Sequence, residues 1–334
     1  MMTRIRRLAV IGAVASLLLA FGQIDPAPTP YAAVSNEGSH DISLLSQTGV
    51  LLYTLRLPSR PRGIAFSRDG RRIFVALSDD RPNFEASGDG IAEVDLQGRR
   101  IVRRISAGSD PETFAITPDE RTIFSSNEDA GTASATDLRT GKVSATLVVG
   151  IEPEGVAASP DGRWVYVTAE TSNSVSMIDA RTKRVVANVL VDARPRGVAF
   201  TPNGRMALVS AEIGGTLSII DVRSHSLMDA VTVQQGRGKP VGIAVSPDSR
   251  FAFVANGATH SVSVVDLVAR KEIETIPVGK RPWGIAISRD GRSLYTANGG
   301  SDDISIVDVA SRRVRSTIKV GAKPWGIALA RREN

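Results

Sequence analysis

One phrase written seven times is what most constrains this chain. It runs Pro-x-Gly, an apolar segment, a Ser/Thr-Pro/Arg-Asp-Gly turn and a second apolar segment. It reads PRGIAFSRDGRRIFVAL from Pro61, PETFAITPDERTIFSSN from Pro111 and PEGVAASPDGRWVYVTA from Pro153. It returns as PRGVAFTPNGRMALVSA from Pro195, PVGIAVSPDSRFAFVAN from Pro240 and PWGIAISRDGRSLYTAN from Pro282. A seventh copy, PWGIALA from Pro324, stops almost at the chain's end. Successive prolines lie 50, 42, 42, 45, 42 and 42 residues apart. A period near 42 suits four short strands joined by tight turns, which is one blade of a propeller.

Each unit divides into strands A to D. Strand A is the Gly-Ile-Ala segment, and strand B follows the Asp-Gly turn. Strand C alternates, as in SVSMID (174–179), SVSVVD (261–266) and DISIVD (303–308), and strand D follows the next turn. Asp137, Asp179, Asp221, Asp266 and Asp308 close strand C, where a carboxylate accepting backbone N–H groups two residues on would organise the turn. The last unit has a strand A (324–330) and nothing after it, whereas residues 31–57 supply B, C and D without an A. Joined, they complete one blade and leave no open edge. The expected fold is all-β: a seven-bladed propeller of four-stranded antiparallel blades, one domain over residues 31–330 with a tail at 331–334.

The N-terminus reads as an export signal. Arg4, Arg6 and Arg7 precede an apolar run from Leu8 to Phe21, and Ala20 and Gly22 are the small residues of a cleavage site. That run is shorter than the roughly 20 residues of a membrane span. Residues 1–22 are therefore expected to be a signal peptide cleaved near Gly22, with 23–30 a proline-rich leader. The mature chain would be periplasmic or secreted, monomeric and without a membrane span. An uncleaved anchor helix is the alternative. Without the leader arginines the formal charge of +6 falls to +3, with basic residues scattered singly among acids. That argues against a nucleic-acid partner. With no cysteine, disulfides, thiolate metal sites, attached c-type haem and a cysteine nucleophile are excluded.

VYVTAETSNSVSMID (165–179) and FVANGATHSVSVVD (253–266) resemble the YVTN-type β-propeller repeat family. SNEGSHDIS (35–43), SDPETFAITPDE (109–120), VDARPRGVAF (191–200) and SAEIGGTLSIIDV (210–222) further resemble exported propellers associated with PQQ-dependent alcohol catabolism. The resemblance implies a pathway, by genome context, and not a reaction. The chain departs from it by extra residues in the first B–C loop and a partial match in the second repeat.

In a propeller the D–A and B–C loops share one face, around the mouth of the central channel. The residue after each repeated proline sits at this rim: Arg62, Glu112, Glu154, Arg196, Val241, Trp283 and Trp325. The position just after strand B holds Ser78, Glu128, Glu170, Glu212, Gly257, Gly299 and Glu37. The mouth is thus charged on blades 1 to 4 and carries two tryptophans flanked by glycine on blades 6 and 7. Such a rim could hold a polar ligand with a flat face, Arg62 and Arg196 gripping carboxylates and the indoles stacking. Alternatively the charges pair around the ring and the tryptophans pack between blades. The glycines of the Pro-x-Gly phrase are expected to be structural, because strand A lies nearest the axis and side chains would crowd there.

The loop Asp79–Gly90 breaks the period and should overhang the mouth as a lid or partner contact, with Asp79, Asp80, Phe84, Glu85 and Asp89 upon it. It lacks the ligand alternation of a calcium loop, so no metal is expected. His40, His225 and His260 are too dispersed for a shared zinc. No Ser-His-Asp set, G-x-S-x-G elbow or phosphate loop can be placed. The chain is therefore read as a non-catalytic binding or scaffold protein without a cofactor, serving a quinoprotein dehydrogenase system or a small polar ligand. The alternatives are a lactonase-like hydrolase using Glu154, Glu170, Arg196 and Glu212, or a non-cofactor subunit of a redox complex.

Overall fold

The computed structural model describes residues 29–78 and 88–331. The expected signal peptide, most of the leader and the Asp79, Asp80, Phe84 and Glu85 part of the inserted loop lie outside the described residues. Within them the chain forms seven four-stranded antiparallel sheets, each ordered A-B-C-D from its innermost strand outward. Blades 1 to 6 start at Arg60, Pro111, Pro153, Pro195, Pro240 and Pro282. Blade 7 is composite: its strand A (Pro324–Leu329) pairs with Ala32–Asn36, with Val34 opposite Ile327. The first and last described strands therefore meet in one sheet, and the ring closes between blades 7 and 1. No helix among the described residues is long and apolar enough to cross a membrane.

The core is a set of blade-to-blade interfaces. Phe74, Phe124, Tyr166, Phe253 and Tyr295 take the same place on strand B of five blades, each at most 3% exposed. Each packs with alternate apolar residues of its own strand C and of the next blade's strand B, as where Phe253 clusters with Val262, Val264 and Leu294. On the other face, Ile42 and Leu44 of blade 7 cluster with Ile73, Val75 and Leu77 of blade 1. Both faces of strands B and C are buried because each blade has a neighbour on either side, which explains runs such as FVAL and LVSA. Truncating one such aromatic would cost about 3–5 kcal/mol.

Turn chemistry holds the blades in register. In the A–B turn, Asp161 Oδ1 accepts from the Arg163 N–H at 3.0 Å and from the Ser159 hydroxyl at 2.5 Å. The pattern recurs at Asp69, Asp119, Asn203, Asp248 and Asp290. Gly162 sits at φ 73°, a left-handed conformation; Glu120 and Ser249 adopt it without being glycine. The aspartates closing strand C reach mainly three residues on rather than two: Asp137 to Thr140, Asp179 to Thr182, Asp221 to Ser224 and Asp308 to Ser311. Only Asp266 takes both the second and the third N–H. These bonds, with the side chain of Ser311 foremost for Asp308, hold all five carboxyls below the usual aspartate range.

Strands A are tied to one another by a hydroxyl relay. Thr168 on strand B accepts from the Gly155 N–H of its own blade and donates to the Arg196 carbonyl of the next, each at 2.8 Å. Ser35, Ser126 and Ser210 do the same for the carbonyls of Arg62, Glu154 and Val241. A Cβ at Gly155 would collide with the Arg196 carbonyl oxygen. Glycine in the Pro-x-Gly phrase is therefore required by approach of the neighbouring blade's backbone, and crowding across the axis is not the cause. Blade 2 replaces it with Thr113, whose hydroxyl donates to the Glu154 carbonyl.

Candidate functional site

The residues after each repeated proline and after each strand B do meet at one mouth. Arg196 lies at the centre of its acidic side, bound by Glu154, Glu170 and Glu212 together; Nε is 2.9 Å from Glu212 Oε2. Arg194 adds a second cation, with Nε 2.7 Å from Glu170 and 3.4 Å from Glu212. On blades 1 and 2, Arg62 lies 3.2 Å from Glu112, a fully buried carboxylate, and 3.8 Å from Glu37. Arg60 joins them, 3.0 Å from Asp110 and 3.4 Å from Glu112, and donates to the Ser78 hydroxyl at 3.1 Å. The two arginines that the sequence offers to a ligand are thus engaged by the chain's own glutamates.

The tryptophans pair as well. The Trp283 and Trp325 rings lie 6.3 Å apart at 41°. Arg62 lies over Trp325 at 5.3 Å, while Arg196 and Arg281 sit over Trp283 at 5.5 and 5.1 Å. Guanidinium groups therefore occupy the indole faces on which a flat ligand was expected to stack. Arg62 and Arg196 link both sides of the mouth, each in an ion pair and in a cation–π contact.

Carboxylates crowded in a half-dry site resist ionisation. Burial, with the Glu154 charge next, pushes Glu112 well above the usual carboxylate range and raises Glu128 as well. Glu170 is pushed up to about 8, by burial first and by Glu154 second. Burial would lower Arg196, but its three glutamates outweigh it and raise the guanidinium further, so that it stays charged. Asp110, Glu112 and Glu128 come close enough to share an ion. Arg60 already bridges the first two.

Above this layer opens a cavity of about 410 Å³, walled by Arg62, Glu128, Glu154, Arg196, Trp283 and Trp325, with Glu37, Arg194, Arg281 and Lys323 toward the rim. Glu154, Arg196 and both tryptophans also line a second space of about 270 Å³ along the strand A glycines and branched side chains. They form the floor between an ionic cup and an apolar channel. Of the rim residues read from sequence, Glu112, Glu170 and Glu212 stand behind the cup wall as partners of its arginines. Asp89, at the foot of the inserted loop, accepts the Asp110 N–H at 2.9 Å. The dispersed histidines stay dispersed: His225 pairs with the Tyr166 hydroxyl at 2.7 Å beneath Trp164, far from the mouth.

One ring of residues escaped the sequence reading. Of the residues before the repeated prolines, Arg194, Arg281 and Lys323 line the mouth cavity, Lys239 edges an adjoining hollow, Arg60 and Asp110 join the ion network, and Glu152 accepts from the Thr171 hydroxyl. All but Arg60 have positive φ, which turns the chain into strand A. The signal was there, in a position of the repeat that varies between blades beside a proline that does not.

Comparison with known proteins agrees on the scaffold. The family described as "Lactonase, 7-bladed beta-propeller" matches residues 180–321, less than half of the chain. That stretch carries Arg194, Arg196, Glu212, Arg281 and Trp283 but none of Glu112, Glu128, Glu154 and Glu170. No curated protein matches. Among solved structures, Kuenenia stuttgartiensis hydrazine synthase aligns with a TM-score of 0.72 at 20% identity, over 90% of this chain and 99% of that one. A protein of unknown function from Desulfotomaculum acetoxidans gives 0.75 at 18%, over 91% and 100%. A candidate 6-phosphogluconolactonase from Bacteroides uniformis gives 0.74 at 17%, over 90% and 99%. At such identities the likeness is one of fold. The chain is a seven-bladed β-propeller, similar to lactonase propellers across blades 4 to 6.

Proposed function

We propose that this chain is an exported, non-catalytic propeller that binds a small polar molecule at its mouth, as an accessory of PQQ-dependent alcohol oxidation. One observation carries the binding reading: apart from Glu128, the carboxylates around the cavity are engaged by arginines. Glu154, Glu170 and Glu212 share Arg196, and Glu37 and Glu112 share Arg60 and Arg62. A general base needs a lone pair within reach of a water, and these lone pairs already face guanidinium groups. The leader sequence supports export, and the motifs at 35–43, 109–120, 191–200 and 210–222 support the pathway. The test is a panel of quinones, sugars, organic acids and lactones, scored for both thermal stabilisation and turnover of the mature chain. Stabilisation by about 2.7 kcal/mol at a hundredfold excess over Kd, without turnover, is the expected result. Turnover of any lactone would overturn the non-catalytic reading.

A hydrolase reading draws on a different observation: Glu128 and Glu154 stand together on the cavity wall, and Glu128 holds its proton more tightly than an ordinary glutamate. The lactonase match and the Bacteroides uniformis neighbour favour it too. In that chemistry Glu154 would take a proton from water while the hydroxide adds to the lactone carbonyl, with Arg196 facing the oxyanion. The ring C–O bond then breaks and Glu128 protonates the departing alkoxide, giving a hydroxy acid. Glu154→Gln should then abolish turnover while leaving binding intact.

A further inference from the structure

At two of the three blade boundaries that carry both, the cation before a repeated proline meets the carboxylate that follows strand B of the preceding blade; at the third, Glu212 turns to Arg194 and Arg196 and not to Lys239. Arg194 meets Glu170 at 2.7 Å, and Arg60 lies 3.7 Å from Glu37. Blades 5 and 6 carry glycine at the carboxylate position, Gly257 and Gly299. Their partners by the same rule, Arg281 and Lys323, have no ion pair among the described residues. Both line the mouth cavity, whose wall holds five cations (Arg62, Arg194, Arg196, Arg281, Lys323) against three carboxylates (Glu37, Glu128, Glu154). Arg281 also edges an adjoining hollow of about 220 Å³ with Lys239, Gly257 and Glu212, the last already held by Arg194 and Arg196. The repeat has thus omitted two negative charges while keeping the positive ones they would face.

We infer that Arg281 and Lys323 form an oxyanion subsite, in which the carboxylate or phosphate of a small organic ligand takes the place of the glutamates missing at 257 and 299. The inference rests on the reading of the mouth as a binding site and adds the class of ligand. Arg281 offers a forked donor and Lys323 a point charge, and the backbone of Gly299 and Gly300 leaves room beside them. Both cations are exposed, so attraction acts through water and weakens with salt.

The glycine itself supplies the test. A Cβ at Gly257 would lie 3.7 Å from the Lys239 carbonyl and 3.8 Å from Arg281 Cγ, ordinary contacts, and Gly257 has no positive φ. Gly257→Glu should place a carboxylate beside Arg281, and Gly257→Gln is its neutral match. Titration calorimetry of the full chain would use gluconate, inorganic phosphate and, as uncharged probes, glucose and gluconolactone. Gluconate or phosphate should bind, about tenfold more weakly to Gly257→Glu, Arg281→Met or Lys323→Met, and little changed to Gly257→Gln. Binding of phosphate alone assigns the subsite to phosphate groups; binding of gluconate alone assigns it to carboxylates. If glucose binds as well as gluconate, or Gly257→Glu matches Gly257→Gln, the oxyanion inference falls and the mouth remains a binding site. If no probe binds at all, both fall.

Discussion

The two sides of the mouth are written with the same phrase and held by different forces. On blades 7 and 1 to 4, glutamates and arginines form a shared network with little exposure, and hydroxyls of Ser35, Ser126, Thr168 and Ser210 tie most successive strands A together. On blades 5 and 6 the relay position is Ala255 and Ala297, the carboxylate position is glycine, and packed indoles replace the ion network. One side sets its charges against one another; the other keeps two cations, Arg281 and Lys323, without a facing carboxylate. Charges that close on one another leave little for a ligand to do, and charges left open are where a ligand can contribute. A buried ion network is strong evidence for neither function nor net stability, yet breaking it from one side is expensive.

That contrast can be broken. Arg196→Met leaves Glu154 and Glu170 buried without their cation and should cost about 3–5 kcal/mol, visible as a lower urea midpoint. Arg281→Met on the open side should change stability by no more than about 0.5 kcal/mol. Equal losses would show that the sides do not differ. Next in size, Gly155→Ala should destabilise by about 1–3 kcal/mol, since its new methyl meets the Arg196 carbonyl, whereas Gly257→Ala should be near neutral.

The hydroxyl relay offers a smaller change of opposite sign. Ala255→Ser supplies the donor that blade 5 lacks toward the Trp283 carbonyl and should stabilise by about 0.5–1.5 kcal/mol; Ser210→Ala should lose about as much. A serine that destabilises would mean the alanines are there for packing.

The pH dependence has a sign of its own. Glu170 holds its proton up to about pH 8 in the fold, against an ordinary glutamate range in the unfolded chain. Across that window the unfolded chain releases a proton that the native one keeps, so Glu170's contribution is complete at low pH and is lost as pH rises to about 8. Glu170→Gln should flatten that decline in melting temperature. The strand C aspartates act the other way, contributing above their unfolded range and losing it in acid.

Much of this was written in the chain. The prolines at a spacing near 42 dictate the blades, and the orphan strand A after Pro324 dictates where the two ends meet. The mouth residues could be located because the repeat puts equivalent positions on one face, so Arg62, Glu154, Arg196 and Trp283 could be named together. Which of them would bind one another could not be read off, because partners such as Arg196 and Glu154 are 42 residues apart and meet only across a blade boundary. Nor could the left-handed turn that carries Arg194, Arg281 and Lys323 into the mouth. Local patterning determines strands, turns and the ring, since those follow from period and side-chain size. Pairing, burial and the charges left over depend on distances between blades, and only the closed ring sets those distances.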